Sequence, residues 1–128
     1  MIVVDSSGWI EFFTDGRLAD DYASRLRKLS TIVTPVIVIY EVYKRLKREL
    51  SEDDAVTAVS AMQRSQVVAI DQEIALTAAD LSLEHGLAMA DALVLATARK
   101  FNAELVTSDR DFDGMTGVTY LPKRPPSE

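Results

Sequence analysis

Leu87-Ala88-Met89-Ala90-Asp91-Ala92-Leu93-Val94-Leu95-Ala96-Thr97-Ala98 is apolar at almost every position around a helical wheel. Such a segment reads as a helix buried on every side. Its one carboxylate, Asp91, must then be protonated, paired or bound to a cation, because burying a bare charge is far too costly.

Outward from this helix, short β-branched runs alternate with amphipathic stretches. Ile2-Val3-Val4, Thr31-Ile32-Val33, Val67-Val68-Ala69-Ile70, Leu105-Val106-Thr107 and Val118-Thr119-Tyr120-Leu121 read as strands. Ser6-Ser7-Gly8 breaks the first, and a short helix through Trp9, Ile10, Phe12 and Phe13 follows it. Leu18, Tyr22 and Leu26 share helical spacing up to about Lys28. Thr34 can cap a helix with Pro35 at its first position. The β-branched run Val36-Ile37-Val38-Ile39 suits a strand equally, but Ile39, Val42, Tyr43, Leu46 and Leu50 continue one helical stripe. Ser51-Glu52-Asp53-Asp54 resembles a capping box for a helix through Val56, Val59 and Met62. Asp71 can cap the next helix, which carries Ile74, Ala78 and Leu81 and stops at His85-Gly86. The Asp91 helix runs to about Lys100. Strands alternating with helices predict a three-layer α/β/α domain over residues 1–121, with a central, mainly parallel sheet of four to five strands. Residues 122–128, with Pro125-Pro126, read as a flexible tail.

The chain has 128 residues, 48% of them hydrophobic, which suits one domain with a real core. It has no cysteine and one histidine, which excludes disulfides, thiolate zinc sites and sites built from several imidazoles. No signal peptide or membrane span is legible, and a cytoplasmic location is expected. A net charge of −6 argues against broad, nonspecific affinity for nucleic acid. Distribution matters more than the sum, however, and Lys44-Arg45-Leu46-Lys47-Arg48 is strongly basic, with Lys123-Arg124 a smaller pair.

Three further acids sit where ligands gather in parallel α/β sheets, beyond the carboxyl ends of the strands. Asp5 follows the first strand, Asp109 the fourth, and Glu41 lies about two turns into the helix after the second. Each alone has an ordinary use. Asp5 and Asp109 could cap the segments after them, and Glu41 could pair with Lys44 or Arg45 on a solvated face. With Asp91 the four could converge. Carboxylates that close repel unless a cation intervenes, and hard ions such as Mg2+ or Mn2+ take all-oxygen ligand sets. Such an ion can drive phosphodiester hydrolysis without a nucleophilic side chain. Ser7 and Thr107 are placed to orient a ligating carboxylate or a water. Glu41, Lys44, Arg45 and Arg48 share one helical face, which reads either as solvated surface or as a grip on substrate phosphates.

Ile2-Val3-Val4-Asp5-Ser6-Ser7, Glu41 after a Thr-Pro segment, Ala90-Asp91-Ala92 with Ala96-Thr97-Ala98, and Thr107-Ser108-Asp109-Arg110-Asp111-Phe112 together resemble a PIN-domain ribonuclease. The small size and the N-terminal opening are similar to the VapC toxins of toxin–antitoxin pairs. The resemblance spans nearly the whole chain. It implies that Asp5, Glu41, Asp91 and Asp109 form an acidic quartet binding Mg2+ or Mn2+. Asp111 matches an additional acid of some members, and Ser7 and Thr107 match supporting hydroxyls. It further implies endonucleolytic cleavage of RNA, often tRNA or rRNA, with translation inhibited as a result. A VapB-type antitoxin and a homodimer are also implied, with no membrane association. The alternatives are a receiver-like phosphoacceptor domain and a non-catalytic PIN-like protein-binding module. The first normally needs adjacent acids after its first strand, where this chain has Asp5 followed by two serines.

Overall fold

Val3, Val4 and Leu105 have no exposed surface, and Val106 has almost none. Neighbouring strand residues point to opposite faces of a sheet, so layers cover both faces here. The computed structural model describes residues 1–123. In chain order it contains β1 (Ile2–Val4), α1 (Ser6–Phe13), α2 (Ala19–Leu26), β2 (Val33–Pro35), α3 (Val36–Glu49) and α4 (Glu52–Met62). Then come β3 (Gln66–Val68), α5 (Gln72–His85), α6 (Met89–Lys100), β4 (Glu104–Thr107) and β5 (Val118–Tyr120). Short 3-10 turns occupy Leu29–Thr31 and Arg110–Phe112. From residue 124 the expected tail lies outside the described residues.

Every strand pair is parallel. The fold is the expected mixed α/β architecture, but its five strands are not one uninterrupted sheet. β1, β4 and β5 form a three-stranded sheet, β2 and β3 a two-stranded one, and one parallel bridge between Ile2 and Ile32 joins them. Leu29–Thr31 winds as a 3-10 turn, so β2 begins at Val33, two residues later than the sequence suggests, and Ile32 just before it makes the bridge to β1.

Several boundaries shift for related reasons. Ser6-Ser7-Gly8 forms the first turn of α1 rather than a break. Thr34 stays in β2, so Pro35, not Thr34, is the residue flanking α3. The buried stripe of α3 is Val38, Val42 and Leu46, with Leu50 exposed, and that of α4 is Ala55, Ala58 and Met62, with Val56 exposed. Capping follows the sequence more closely. The side chains of Ser51 and Asp71 accept the amides of Asp54 (3.0 Å) and Ile74 (2.8 Å), and Gly86 ends α5 in the left-handed region.

Helix α6 packs against β1, β2 and β4. Its Ala92, Val94, Leu95, Ala96, Thr97 and Ala98 are all buried, but its first turn is not. Met89 is 74% exposed and Asp91 partly so. Beyond Asp91, which stands at the mouth of the core, the helix is buried from Ala92 to Ala98 except at Leu93, which stays partly exposed. Among the described residues no single helix is long and apolar enough to cross a membrane.

One close approach ties α1 to α2. A Cβ placed on Gly8 would lie 2.2 Å from the ring of Tyr22, which has no exposed surface. Gly8→Ala is expected to lower stability by about 1–3 kcal/mol through overpacking, despite alanine's better helix propensity. A urea unfolding midpoint equal to or above that of the unsubstituted chain would refute this packing.

Candidate metal centre

The chain runs from β1 toward β2 on one side and from β3 across to β4 on the other, so β1 and β4 bound a topological switch point. A cleft of about 500 Å³ opens there, lined by Asp5, Glu41, Asp91 and Asp109 together with Ser6, Ser7, Ser108, Arg45, Arg110 and Lys123. The fold thus brings the four acids to one place from four segments: the end of β1, α3, the first turn of α6 and the end of β4.

Asp5 is the most enclosed, at 3% exposure. Its Oδ2 accepts hydrogen bonds from Thr107 Oγ1 (2.9 Å) and Ser7 Oγ (3.3 Å). Thr107 Oγ1 also accepts the Asp109 amide (2.9 Å), and Ser7 Oγ accepts the Ser108 amide (3.0 Å). Each hydroxyl has one proton, and both are spent on Oδ2. Asp5 Oδ1 is buried with no hydrogen-bond partner, an arrangement that costs free energy unless something positive meets it. Asp5 stands at the N-cap of α1 but makes no side-chain cap bond, because its carboxylate is turned toward β4.

The other acids divide their roles. Asp109 Oδ1 accepts the Asp111 amide at 2.9 Å, so it does cap the following turn. Oxygens of Asp91, Asp109 and Asp111 lie within 4.8 Å of one another, a spacing that suits a shared cation. Asp111 thus stands closer to this group than its place as an additional acid suggested, whereas Asp5 and Glu41 line the same cleft outside it. Glu41 does not pair with Lys44 or Arg45 among the described residues; Arg45 bonds Glu49 instead, at 2.8 Å. Burial raises the pKa of Asp5, and burial plus the negative Asp5 raises that of Glu41, partly offset by Ser6. Burial, followed by the charges of Asp109, Asp5, Glu41 and Asp111, pushes Asp91 up to about 7.

Lys44, Arg45 and Arg48 line a smaller groove of about 230 Å³ that shares Ser6, Ile10, Glu41 and Arg45 with the main cleft. Reading the sequence missed two groups. Arg110 and Lys123, after β4 and β5, line the cleft across β1 from α3; Lys123 stood out only as half of a basic pair. Tyr22 shares a 2.7 Å hydrogen bond with Ser108 Oγ. It counted as one apolar position in a helical stripe, and spacing says nothing about where a phenol hydroxyl ends.

A family profile for the PIN domain matches residues 2–118. No curated protein matches the sequence. Among solved structures, a chain from a toxin–antitoxin complex of Klebsiella pneumoniae is 27% identical, with a TM-score of 0.79 over 93% of this chain and 96% of that one. VapC20 of Mycobacterium tuberculosis, described as a sarcin–ricin loop cleaving toxin, is 23% identical with a TM-score of 0.74, covering 92% and 98%. VapBC2 of Rickettsia felis, bound to promoter DNA, is 17% identical with a TM-score of 0.76, covering 95% and 98%. The last two show a shared fold.

The crowded acids have a consequence for stability. Asp91 has a pKa of about 3.9 when unfolded and about 7 when folded. Between those values the folded state holds the extra proton, so rising pH removes stability across that window, and Asp5 and Glu41 act in the same direction. In metal-free buffer the melting temperature is expected to fall between pH 5 and pH 8, and Asp91→Asn to flatten part of the fall. A melting temperature that is level or rising over that range would contradict it.

Proposed function

The chain belongs to the PIN-domain family, and from that premise we propose that it is a metal-dependent endoribonuclease, the toxin of a type II toxin–antitoxin pair. One observation carries the reading most: a buried, unpartnered carboxylate oxygen, Asp5 Oδ1, in a cleft lined by three more acids. Asp5, Glu41, Asp91 and Asp109 would hold Mg2+ or Mn2+, with Asp111 beside them. Such an ion supplies charge neutralisation and Lewis-acid polarisation for phosphodiester hydrolysis.

The chain's own residues do the rest. Ser7 and Thr107 fix Asp5 by occupying Oδ2, which leaves Oδ1 as the free ligand atom. Burial and the neighbouring acids push Asp91 up to about 7 in the cation-free site, so an ion held there would displace its proton. Lys44, Arg45 and Arg48, which line the neighbouring groove, and Arg110 and Lys123, which line the cleft, would contact the phosphates flanking a scissile bond. Arg45 must leave Glu49 to take part. An RNA substrate of the tRNA or rRNA class, whose cleavage stops translation, fits this reading.

The toxin–antitoxin complex at 27% identity supports an antitoxin partner of the VapB type. Apolar Leu76, Leu83 and Met89, exposed on α5 and at the start of α6, support a homodimer. The family match over nearly the whole chain leaves the receiver alternative without support.

Asp91→Asn is expected to lower metal-dependent RNA cleavage roughly 100-fold or more, the scale on which such sites feel the loss of one orienting or charge-stabilising group, with an unchanged circular dichroism spectrum. Equal cleavage by both proteins would remove Asp91 from the site. No cleavage by either, with any divalent ion, would favour a non-catalytic binding module. Replacing Lys44, Arg45 and Arg48 with alanine is expected to reduce the slope of log affinity against log salt by about 0.7 for each phosphate of single-stranded RNA that is no longer neutralised. An unaltered slope would make that face ordinary solvated surface.

A further inference from the structure

Tyr22 belongs to α2, has no exposed surface, and rests its ring on Gly8. For packing alone phenylalanine would serve. A phenol hydroxyl carried into the interior loses its water, and only a partner there offsets the loss. That partner is Ser108 Oγ, 2.7 Å away. Ser108 lies between Thr107, whose hydroxyl bonds Asp5, and Asp109, whose carboxylate lies with those of Asp91 and Asp111. The Ser108 amide donates to Ser7 Oγ. Residue 108 is therefore pinned twice, by its amide to α1 and by its side chain to α2.

We infer that Tyr22 is a positioning residue for the cation site, holding the turn after β4 so that Asp109 stays beside Asp91 and Asp111. The inference rests on the metal reading above and adds a residue outside the cleft to it. The three acids repel one another, and repulsion pushes the turn outward. The bonds at residue 108 oppose that push from inside the core. A turn free to relax would present Asp109 over a wider range of positions, and a cation would find its ligands less well assembled. The path of influence is short: Tyr22 to Ser108, then one peptide unit to Asp109.

Tyr22→Phe tests this, because it removes the hydroxyl and keeps the ring on Gly8. Mn2+ alone is the probe, with free Mn2+ followed by electron paramagnetic resonance. Tyr22→Phe is expected to weaken Mn2+ binding roughly tenfold and to speed amide exchange at Ser108 and Asp109. Ser108→Ala, a change at the lip of the cleft that guards against failure of the first variant to fold, is expected to produce the same loss. The double variant should lose no more than either single one, since both remove one shared interaction. Mn2+ binding by Tyr22→Phe equal to that of the unsubstituted chain, or losses that multiply in the double variant, would overturn the inference while leaving the metal reading intact. An unsubstituted chain that takes up no Mn2+ would overturn both.

Discussion

Oxygens of Asp91, Asp109 and Asp111 lie within 4.8 Å of one another, and at neutral pH such groups drive each other apart. Much of the surrounding architecture acts against that repulsion. Asp91 sits in the first turn of α6, where the positive end of the helix dipole favours an anion. Asp109 is held by its bond to the Asp111 amide and by its own amide on Thr107. Asp5 is anchored across the β1–β4 pair, its amide donating to Val106 O and its carboxylate accepting from Thr107. The register of β1 against β4 therefore also sets where the acids stand.

The use of hydroxyls rather than cations around Asp5 has its own logic. An arginine at the position of Ser7 or Thr107 would neutralise the carboxylate and leave nothing for an incoming ion to gain. Hydroxyls orient one oxygen and leave the charge standing. Burial raises the pKa of Asp5 and Asp91 for the same reason that it sharpens attraction to a cation: little water remains to screen either. Folding energy is given up where binding of a cation would recover it.

How much of this is legible in the sequence depends on the scale of the cause. Strand and helix order follows from periodicity, a strong local signal, and the caps at Ser51, Asp71 and Gly86 follow from side-chain chemistry within a few residues. Asp91 is conspicuous because a charge interrupts an apolar helix, although full burial is the wrong reason. Helical periodicity cannot say which turn of a buried helix first emerges from the core, and α6 emerges at Met89. The split sheet is not legible, since the pairing of Ile2 with Ile32 joins residues far apart in the chain and leaves no local pattern. Nor is the bond from Tyr22 to Ser108, which spans 86 positions and leaves no local pattern.

The basic groove of Lys44, Arg45 and Arg48 beside the acids has a kinetic side as well. Beyond a Debye length, about 8 Å in physiological salt, an approaching polyanion meets chiefly the field of a chain whose net charge is −6. On the proposed reading, the groove would dominate only inside that distance. Association of this kind would not be steered: added salt would ease the approach while shortening the stay, whereas a steered encounter slows as salt is added. Choice among polyanions would then be made by residence time rather than by arrival.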